Sequence, residues 1–155
     1  MVRSASLRRH TTQTLEVLMK IALFTFLIAL AATATGADIT DEELSRLYEK
    51  PSVFESLPKT RWIAESKNAY VVHDGHQQAP NHMLVIPKKR IPTILQASPD
   101  LIGEMVILAN QVAKKEGLEK NGFRMVINTH PDGGQSVYHL HIHILGGRQM
   151  KWPPG

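Results

Sequence analysis

Apolar and polar residues recur with two different periods along the chain, and these periods predict its elements. Between residues 101 and 112 apolar side chains return every three or four positions, which indicates one long amphipathic helix. Ser98 is a suitable N-cap for this helix, and Gly117 marks its end. A shorter helix is predicted over residues 40–49, whose first four residues, Thr-Asp-Glu-Glu, form a capping box.

Five other segments have the composition of β-strands and are bounded by Gly, Pro, Asn or Asp. They span residues 61–66, 69–74, 82–86, 122–129 and 138–145. Strands outnumber helices and most connections are short. The sequence therefore predicts an antiparallel α+β domain, with a sheet of about five strands, one long helix and one or two short helices.

The first 37 residues differ in composition from the rest of the chain. Residues 21–37 carry no charge, and their strongly apolar part, 21–32, is shorter than the about 20 residues that span a membrane. A basic stretch, a short apolar run and small residues are typical of a secretory signal peptide, with cleavage after Ala34 or Ala37. We therefore divide the chain into a targeting leader, 1–37, and a domain, 38–155.

Two alternatives to an exported, periplasmic or secreted protein stay open. Residues 1–20 are rich in Arg, Ser and Thr and contain one acidic residue, as in a mitochondrial presequence. An uncleaved leader would instead serve as a membrane anchor, which is the one membrane contact that we expect.

The charge balance argues against a nucleic-acid partner. The chain has 18 basic and 14 acidic residues, a net charge of +4, but residues 1–20 contribute +3 of it. The remaining residues carry a net +1, so the domain has no large excess of positive charge. The chain contains no cysteine, which excludes disulfides, a thiol nucleophile and thiolate metal ligands.

Three of the eight histidines occupy the alternate positions 139, 141 and 143. Successive side chains of a strand point to opposite faces, so the three imidazoles share one face while the apolar residues between them pack on a core. The outer pair is about 13 Å apart on this geometry. The donors of one zinc ion lie within about 3–4 Å of each other, so one ion does not bind all three. Three interpretations remain: a metal site formed by two of the histidines with further ligands, histidines with a structural role, and nucleophilic catalysis by a neutral imidazole.

The turn that precedes these histidines reads Pro-Asp-Gly-Gly-Gln-Ser over residues 131–136. Gly133 and Gly134 allow a close backbone approach and expose amide donors, and Ser136 adds a hydroxyl. These features predict a phosphate site beside the histidines, although a plain hairpin turn has the same glycine pattern.

Residues 139–145 (HLHIHIL) resemble the signature of the histidine triad family of nucleotide hydrolases and transferases. Residues 132–155 (DGGQSVYHLHIHILGGRQMKWPPG) are similar to the Hint branch of that family, as are residues 73–89 and 123–128. The resemblance covers about residues 60–155. It implies a compact α+β domain that forms a homodimer by joining two sheets.

The resemblance also implies a reaction at the α-phosphorus of a purine nucleotide, either a nucleoside phosphoramidate or an acyl-nucleotide. His141 corresponds to the nucleophile, which forms a nucleotidyl-histidine intermediate. His139 corresponds to the histidine that orients it, and His143 to one that contacts the phosphate or the leaving group. His82 corresponds to a supporting histidine behind the triad, and no metal or other cofactor is implied.

The substrate-binding positions follow from the same resemblance. They comprise the ribose-binding acid Asp74, the phosphate-side residues Asn128, Gly134, Gln135 and Ser136, and Trp152, which packs into a partner subunit. A loop-capping Asp is the alternative for Asp74, and a frayed C-terminal tail is the alternative for Trp152. The alternatives are a dinucleoside polyphosphate hydrolase and a nucleotide-binding or interaction module with little hydrolysis. Histidines 73, 76 and 130 and the basic run 88–90 are expected to be exposed to solvent.

If the leader is cleaved as predicted, the mature protein begins at Thr35 or Asp38. N-terminal sequencing of the protein purified from its native source measures this directly. Intact protein that begins at Met1 would contradict the processing model.

Overall fold

The computed structural model describes residues 38–154, so the predicted leader lies outside the described residues. Its strands form one antiparallel sheet in the order β1-β2-β3-β5-β4. The strands are β1 (Ala64–Glu65), β2 (Ala69–His73), β3 (Asn81–Pro87), β4 (Phe123–Val126) and β5 (Ile142–Gly146). The predicted antiparallel α+β fold is confirmed.

Two α-helices accompany the sheet, α1 (Asp41–Glu49) and α2 (Pro99–Lys115). The capping box predicted for α1 is present, since Thr40 Oγ1 accepts from the Glu43 amide and the Glu43 carboxylate accepts from the Thr40 amide. Ser98 caps α2 in the predicted way. Short 3₁₀ turns lie at Lys59–Arg61 and Ile94–Gln96. Within residues 38–154, none of the helices is long and apolar enough to cross a membrane.

Each face of the sheet is covered by a different apolar cluster. Helix α2 packs on one face, and its buried residues Met105, Leu108, Ala109, Val112 and Ala113 join a core with Val71, Met83, Val85, Leu140, Ile142 and Ile144. On the other face, Tyr70, Val72, Leu84 and Ile86 pack with Phe54, Leu57 and Trp62. Strands β2 and β3 are therefore buried on both faces, which explains why they read as nearly continuous apolar runs.

Three predicted strands are shorter than expected, and the one predicted over residues 122–129 is reduced to β4, Phe123–Val126. In the first, residues 59–61 form a 3₁₀ turn and only Ala64–Glu65 is regular strand. In the last, residues 138–141 lie outside the ladder, because the amide of Leu140 donates to the carbonyl of Ile91 in the loop after β3. The alternation still holds across residues 139–144, since the intervening apolar side chains enter the α2 core and the histidines face away from it.

The packing of α2 predicts unequal effects of truncation at two neighbouring positions. Leu108 is 3% exposed in the core, whereas Ile107 is 58% exposed. We expect Leu108→Ala to lower the free energy of unfolding by about 2–5 kcal/mol, because it removes buried methyl groups and leaves a cavity. Ile107→Ala is the matched control, with a change below about 1 kcal/mol. Urea denaturation measures both, and equal losses would contradict the assignment of the core face.

Candidate active site

The fold brings four of the predicted histidines and one predicted carboxylate into a single cluster. His82 lies on β3 and His143 on the neighbouring β5, and their rings are joined by an Nε2–Nδ1 distance of 2.8 Å. The ring centroids of His141 and His143 are 4.8 Å apart. Asp74, just after β2, places Oδ2 3.3 Å from Nε2 of His82. These five side chains, including His139, are all buried or half-buried.

One hydrogen bond determines which nitrogen of His141 is free. Its Nδ1 lies 2.8 Å from the backbone carbonyl of His139. A carbonyl oxygen only accepts, so Nδ1 carries the proton and Nε2 holds the lone pair. Burial lowers the pKa of His141 below its usual 6.5, which favours the neutral ring near pH 7. The ring is thus arranged as a nucleophile through Nε2.

His139 is held at both ring nitrogens. Its Nε2 donates to the carbonyl of Pro87 over 2.9 Å, and its Nδ1 lies 3.0 Å from Oγ of Ser52. Burial lowers the pKa of His139 and keeps the ring neutral. His139 therefore presents its backbone carbonyl, rather than its ring, to His141.

A second chain of hydrogen bonds fixes the protons of His82 and His143. The Gln78 amide donates to Nδ1 of His82, so Nε2 of His82 carries the proton and donates it to Nδ1 of His143. The remaining proton of His143 must then be on Nε2. That nitrogen is buried and has no hydrogen-bond partner among the described residues. The cluster thus contains a lone pair on His141 next to a ring whose buried N–H has no acceptor among the described residues.

The loop before the histidines is shaped by internal hydrogen bonds. The Gly134 amide donates to the carbonyl of Pro131, and a Cβ on Gly133 would lie 2.2 Å from the carbonyl oxygen of Thr129. The side chain of Gln135 binds the carbonyls of Pro92 and Val137 and the amide of His130. The amide of Gly134 is therefore used within the turn, contrary to our expectation of a free donor.

The remaining predicted binding residues occupy three places. Ser136 is exposed, three residues before His139. Asn128 is half-buried and follows β4, whose Val126 is paired with His143. Trp152 is 83% exposed and borders a shallow cleft of about 600 Å³ with β4. The structure places it in the C-terminal segment beside β4, and its packing against a partner subunit stays a prediction.

Sequence reasoning missed the contribution of the segment after α1. Besides Ser52, Phe54 places its ring edge against the rings of His139 and His141, with centroid distances of 5.7 and 5.2 Å. The hydroxyl of Tyr70 donates to the carbonyl of Phe54, and burial raises the pKa of Tyr70 to about 12. A single Ser leaves no pattern in the sequence that would mark it as a site residue. Phe54 is a large apolar residue in a mostly polar segment, and this contrast is a signal that could have identified it.

Two expectations of solvent exposure are wrong. Arg90 is half-buried, because its guanidinium donates to the carbonyls of Tyr48, Lys50 and Tyr138. It therefore ties the end of α1 to the residue before His139.

His130 is also half-buried, with its Nε2 3.1 Å from the hydroxyl of Tyr48. Its φ of 61° is in the left-handed region, at the start of the glycine turn. His73 and His76 are exposed, as predicted.

Comparison with known proteins identifies the domain. The family model of the HIT domain matches residues 57–150. The chain belongs to the HIT-domain family. The HIT match spans all five strands, helix α2 and all the histidines of the cluster.

Relatives of this HIT protein include a "14 kDa zinc-binding protein" from Zea mays, 41% identical over 121 residues, which cover 72% of this chain and 94% of the relative. An uncharacterised HIT-like protein from Synechococcus elongatus is 53% identical over 96 residues, 60% of this chain and 83% of the relative. Among solved structures, a HIT family hydrolase from Legionella pneumophila has 44% identity and a TM-score of 0.58. The match covers 69% of this chain and 91% of the Legionella chain. A histidine triad protein from Clostridium difficile has 32% identity and a TM-score of 0.56, covering 66% and 85%.

The buried histidines of the HIT domain predict a loss of stability in mild acid. Burial lowers the pKa of His143 to about 4, and His139 and His141 are shifted in the same direction. Between about pH 6.5 and 4 the unfolded chain binds these protons while the folded chain does not. The contribution of these neutral histidines to the free energy of unfolding is therefore complete above about pH 6.5 and is lost as the pH falls toward 4.

Urea denaturation at several pH values between 7.5 and 4.5 measures this dependence. We expect the free energy of unfolding of His143→Gln to depend less steeply on pH than that of the wild type, since the variant lacks one of the titrating groups. A slope in the variant as steep as that of the wild type would show that His143 does not titrate as described.

Proposed function

We propose that this HIT protein is a hydrolase of the Hint type. Its substrates would be purine nucleoside phosphoramidates or acyl-nucleotides, cleaved at the α-phosphorus. The observation that carries the proposal is the lone pair on Nε2 of His141, which the carbonyl of His139 maintains by binding the proton on Nδ1. The names of the HIT family hydrolases among the solved structures support a hydrolytic reaction.

In the first step, Nε2 of His141 attacks the α-phosphorus and the bond from phosphorus to the leaving group breaks. The product is a nucleotidyl-histidine, whose ring is cationic because Nδ1 keeps its proton. A carboxylate leaves as an anion, and an amine takes up one proton from the solvent. The Nε2–H of His143 donates a hydrogen bond to the leaving atom or to a phosphoryl oxygen, where negative charge accumulates.

In the second step, water attacks the same phosphorus and the phosphorus–nitrogen bond breaks. The lone pair returns to Nε2 of His141, and one proton of the water is released to the solvent. The products are a nucleoside monophosphate and the regenerated enzyme. A reaction in two displacement steps needs a group that first attacks and then leaves. Imidazole suits this role, because it is both a nucleophile and a good leaving group near neutral pH.

The substrate contacts belong to the proposal as well. Asp74 would bind the ribose hydroxyls, with a carboxylate whose Oδ1 already accepts from the His76 amide. The exposed hydroxyl of Ser136 and the side chain of Asn128 would face the phosphate oxygens. Gln135 acts indirectly, since its amide group is used to hold the loop.

Zinc is suggested by the name of the maize relative, and the cluster provides a test of the fit. Donor atoms of Asp74, His82 and His143 all lie within 4.8 Å of one another. However, the two ring nitrogens are 2.8 Å apart and share a proton, whereas tetrahedral zinc separates its nitrogen donors by about 3.3 Å and requires them bare. The arrangement fits a hydrogen-bonded cluster and not a zinc site, so we derive no step through a metal.

The nucleophile is tested by His141→Ala. We expect kcat/KM for adenosine 5′-phosphoramidate to fall by at least about a thousand-fold, because the ring that would form the covalent intermediate is removed. Calorimetry should still detect AMP binding to the variant. Mass spectrometry after a rapid quench should find a nucleotidyl adduct on the wild type and none on the variant.

His73→Ala is the matched control, because His73 is an exposed histidine at the end of β2, and its activity should equal that of the wild type. Assays with and without a chelator should agree. A wild-type protein that binds AMP without turnover would show a binding module instead, and activity lost to the chelator and restored by zinc would show a metal enzyme.

A further inference from the structure

A serine outside the histidine run contacts the cluster directly. Ser52 follows α1, is 6% exposed, and places Oγ 3.0 Å from Nδ1 of His139, 87 residues further along the chain. The backbone amide of Phe54 donates to the same oxygen over 3.2 Å. The hydroxyl therefore accepts one hydrogen bond and has its own proton to donate.

The direction of the bond between Ser52 and His139 follows from the other side of the ring. Nε2 of His139 donates to the carbonyl of Pro87, so Nδ1 of the neutral ring is an acceptor. The hydroxyl of Ser52 must donate to it. Both nitrogens of a buried imidazole are then satisfied, and the ring is held between β3 on one side and the segment after α1 on the other.

The position of this ring matters because the backbone of the same residue holds the nucleophile. The carbonyl of His139 binds Nδ1–H of His141, and that bond leaves the lone pair on Nε2. We propose that Ser52 is a positioning residue, whose hydroxyl holds the His139 ring and thereby fixes the carbonyl that sets the tautomer of His141. The inference rests on the proposed function for its kinetic consequence, but its structural consequence is independent of turnover.

The segment that carries Ser52 is itself well anchored. The carbonyl of Phe54 accepts from the buried hydroxyl of Tyr70 over 3.0 Å, and the Phe54 ring packs edge-on against His139 and His141. A hydroxyl on a fixed segment loses little conformational freedom when it binds the ring, so it can define the ring position closely.

Ser52→Ala tests the proposal, with two variants for comparison. Ser52→Thr retains the hydroxyl. Ser56→Ala removes another hydroxyl of the same segment, which bonds to the carbonyl of Val53 and is exposed. We expect Ser52→Ala to lower kcat about ten-fold while KM changes less than about two-fold, because one buried hydrogen bond is lost and the nucleophile is misaligned. Ser52→Thr and Ser56→Ala should remain within about two-fold of the wild type.

Nitrogen-15 NMR of the histidine rings gives the second readout, which a merely structural role would not change. In the wild type, His141 should show one protonated nitrogen, Nδ1, and one bare nitrogen, Nε2. In Ser52→Ala we expect the two signals to move toward each other as the tautomers mix. Ser52→Ala with the kcat and His141 signals of the wild type would overturn the proposal.

The NMR readout also separates this inference from the proposed function. If the wild type hydrolyses no nucleotide, the proposed function fails, while the tautomer of His141 in Ser52→Ala still decides the role of Ser52. If the wild type is active and Ser52→Ala alters neither kcat nor the tautomer, the proposed function stands and the positioning role is wrong. A Ser52→Thr variant that is as impaired as Ser52→Ala in a folded protein would also overturn it, because the hydroxyl is then not the active feature.

Discussion

The active-site cluster depends on one constraint: a buried neutral imidazole has one donor and one acceptor, and each needs a partner. The carbonyls of Pro87 and His139 accept from two of the rings and so determine which nitrogen of each carries the proton. The protons of the other two rings follow from a backbone amide that donates to His82. The chemistry available to the site is therefore decided by backbone groups at the end of β3, in the loop before β3 and in the segment before β5.

The sheet supports this arrangement because its two faces serve different purposes. One face is closed by α2 with a buried core of apolar side chains, on which β3 and β5 rest. The opposite face combines the histidines with an aromatic cluster that includes Tyr70 and Phe54. Apolar neighbours keep the imidazoles neutral, and polar neighbours satisfy their nitrogens, so both conditions for a nucleophilic ring are met on one surface.

The sequence predicts the elements well where a periodic pattern or a cap is present, as in α2 and the capping box at Thr40. It predicts the shared face of the histidines from alternation alone, even though residues 138–141 leave the regular ladder. It does not predict Ser52 or Arg90, because their partners are distant in the sequence. The partners of Arg90 are also backbone carbonyls, which every residue type carries. The sequence also does not predict that the amide of Gly134 donates to the carbonyl of Pro131, since a glycine pattern does not show whether a turn uses its own donors.

The bonds made by Arg90 and Ser52 have a consequence for biosynthesis. Both join the segment just after α1 to residues 138–139, so they span most of the domain. Contacts of such large sequence separation form only after the intervening chain has been made and the long loop has been closed. A nascent or truncated chain that ends before residue 138 would retain the segment after α1 without the histidines that it aligns. The order in which the ribosome supplies the chain thus keeps the nucleophile unassembled until the domain is nearly complete.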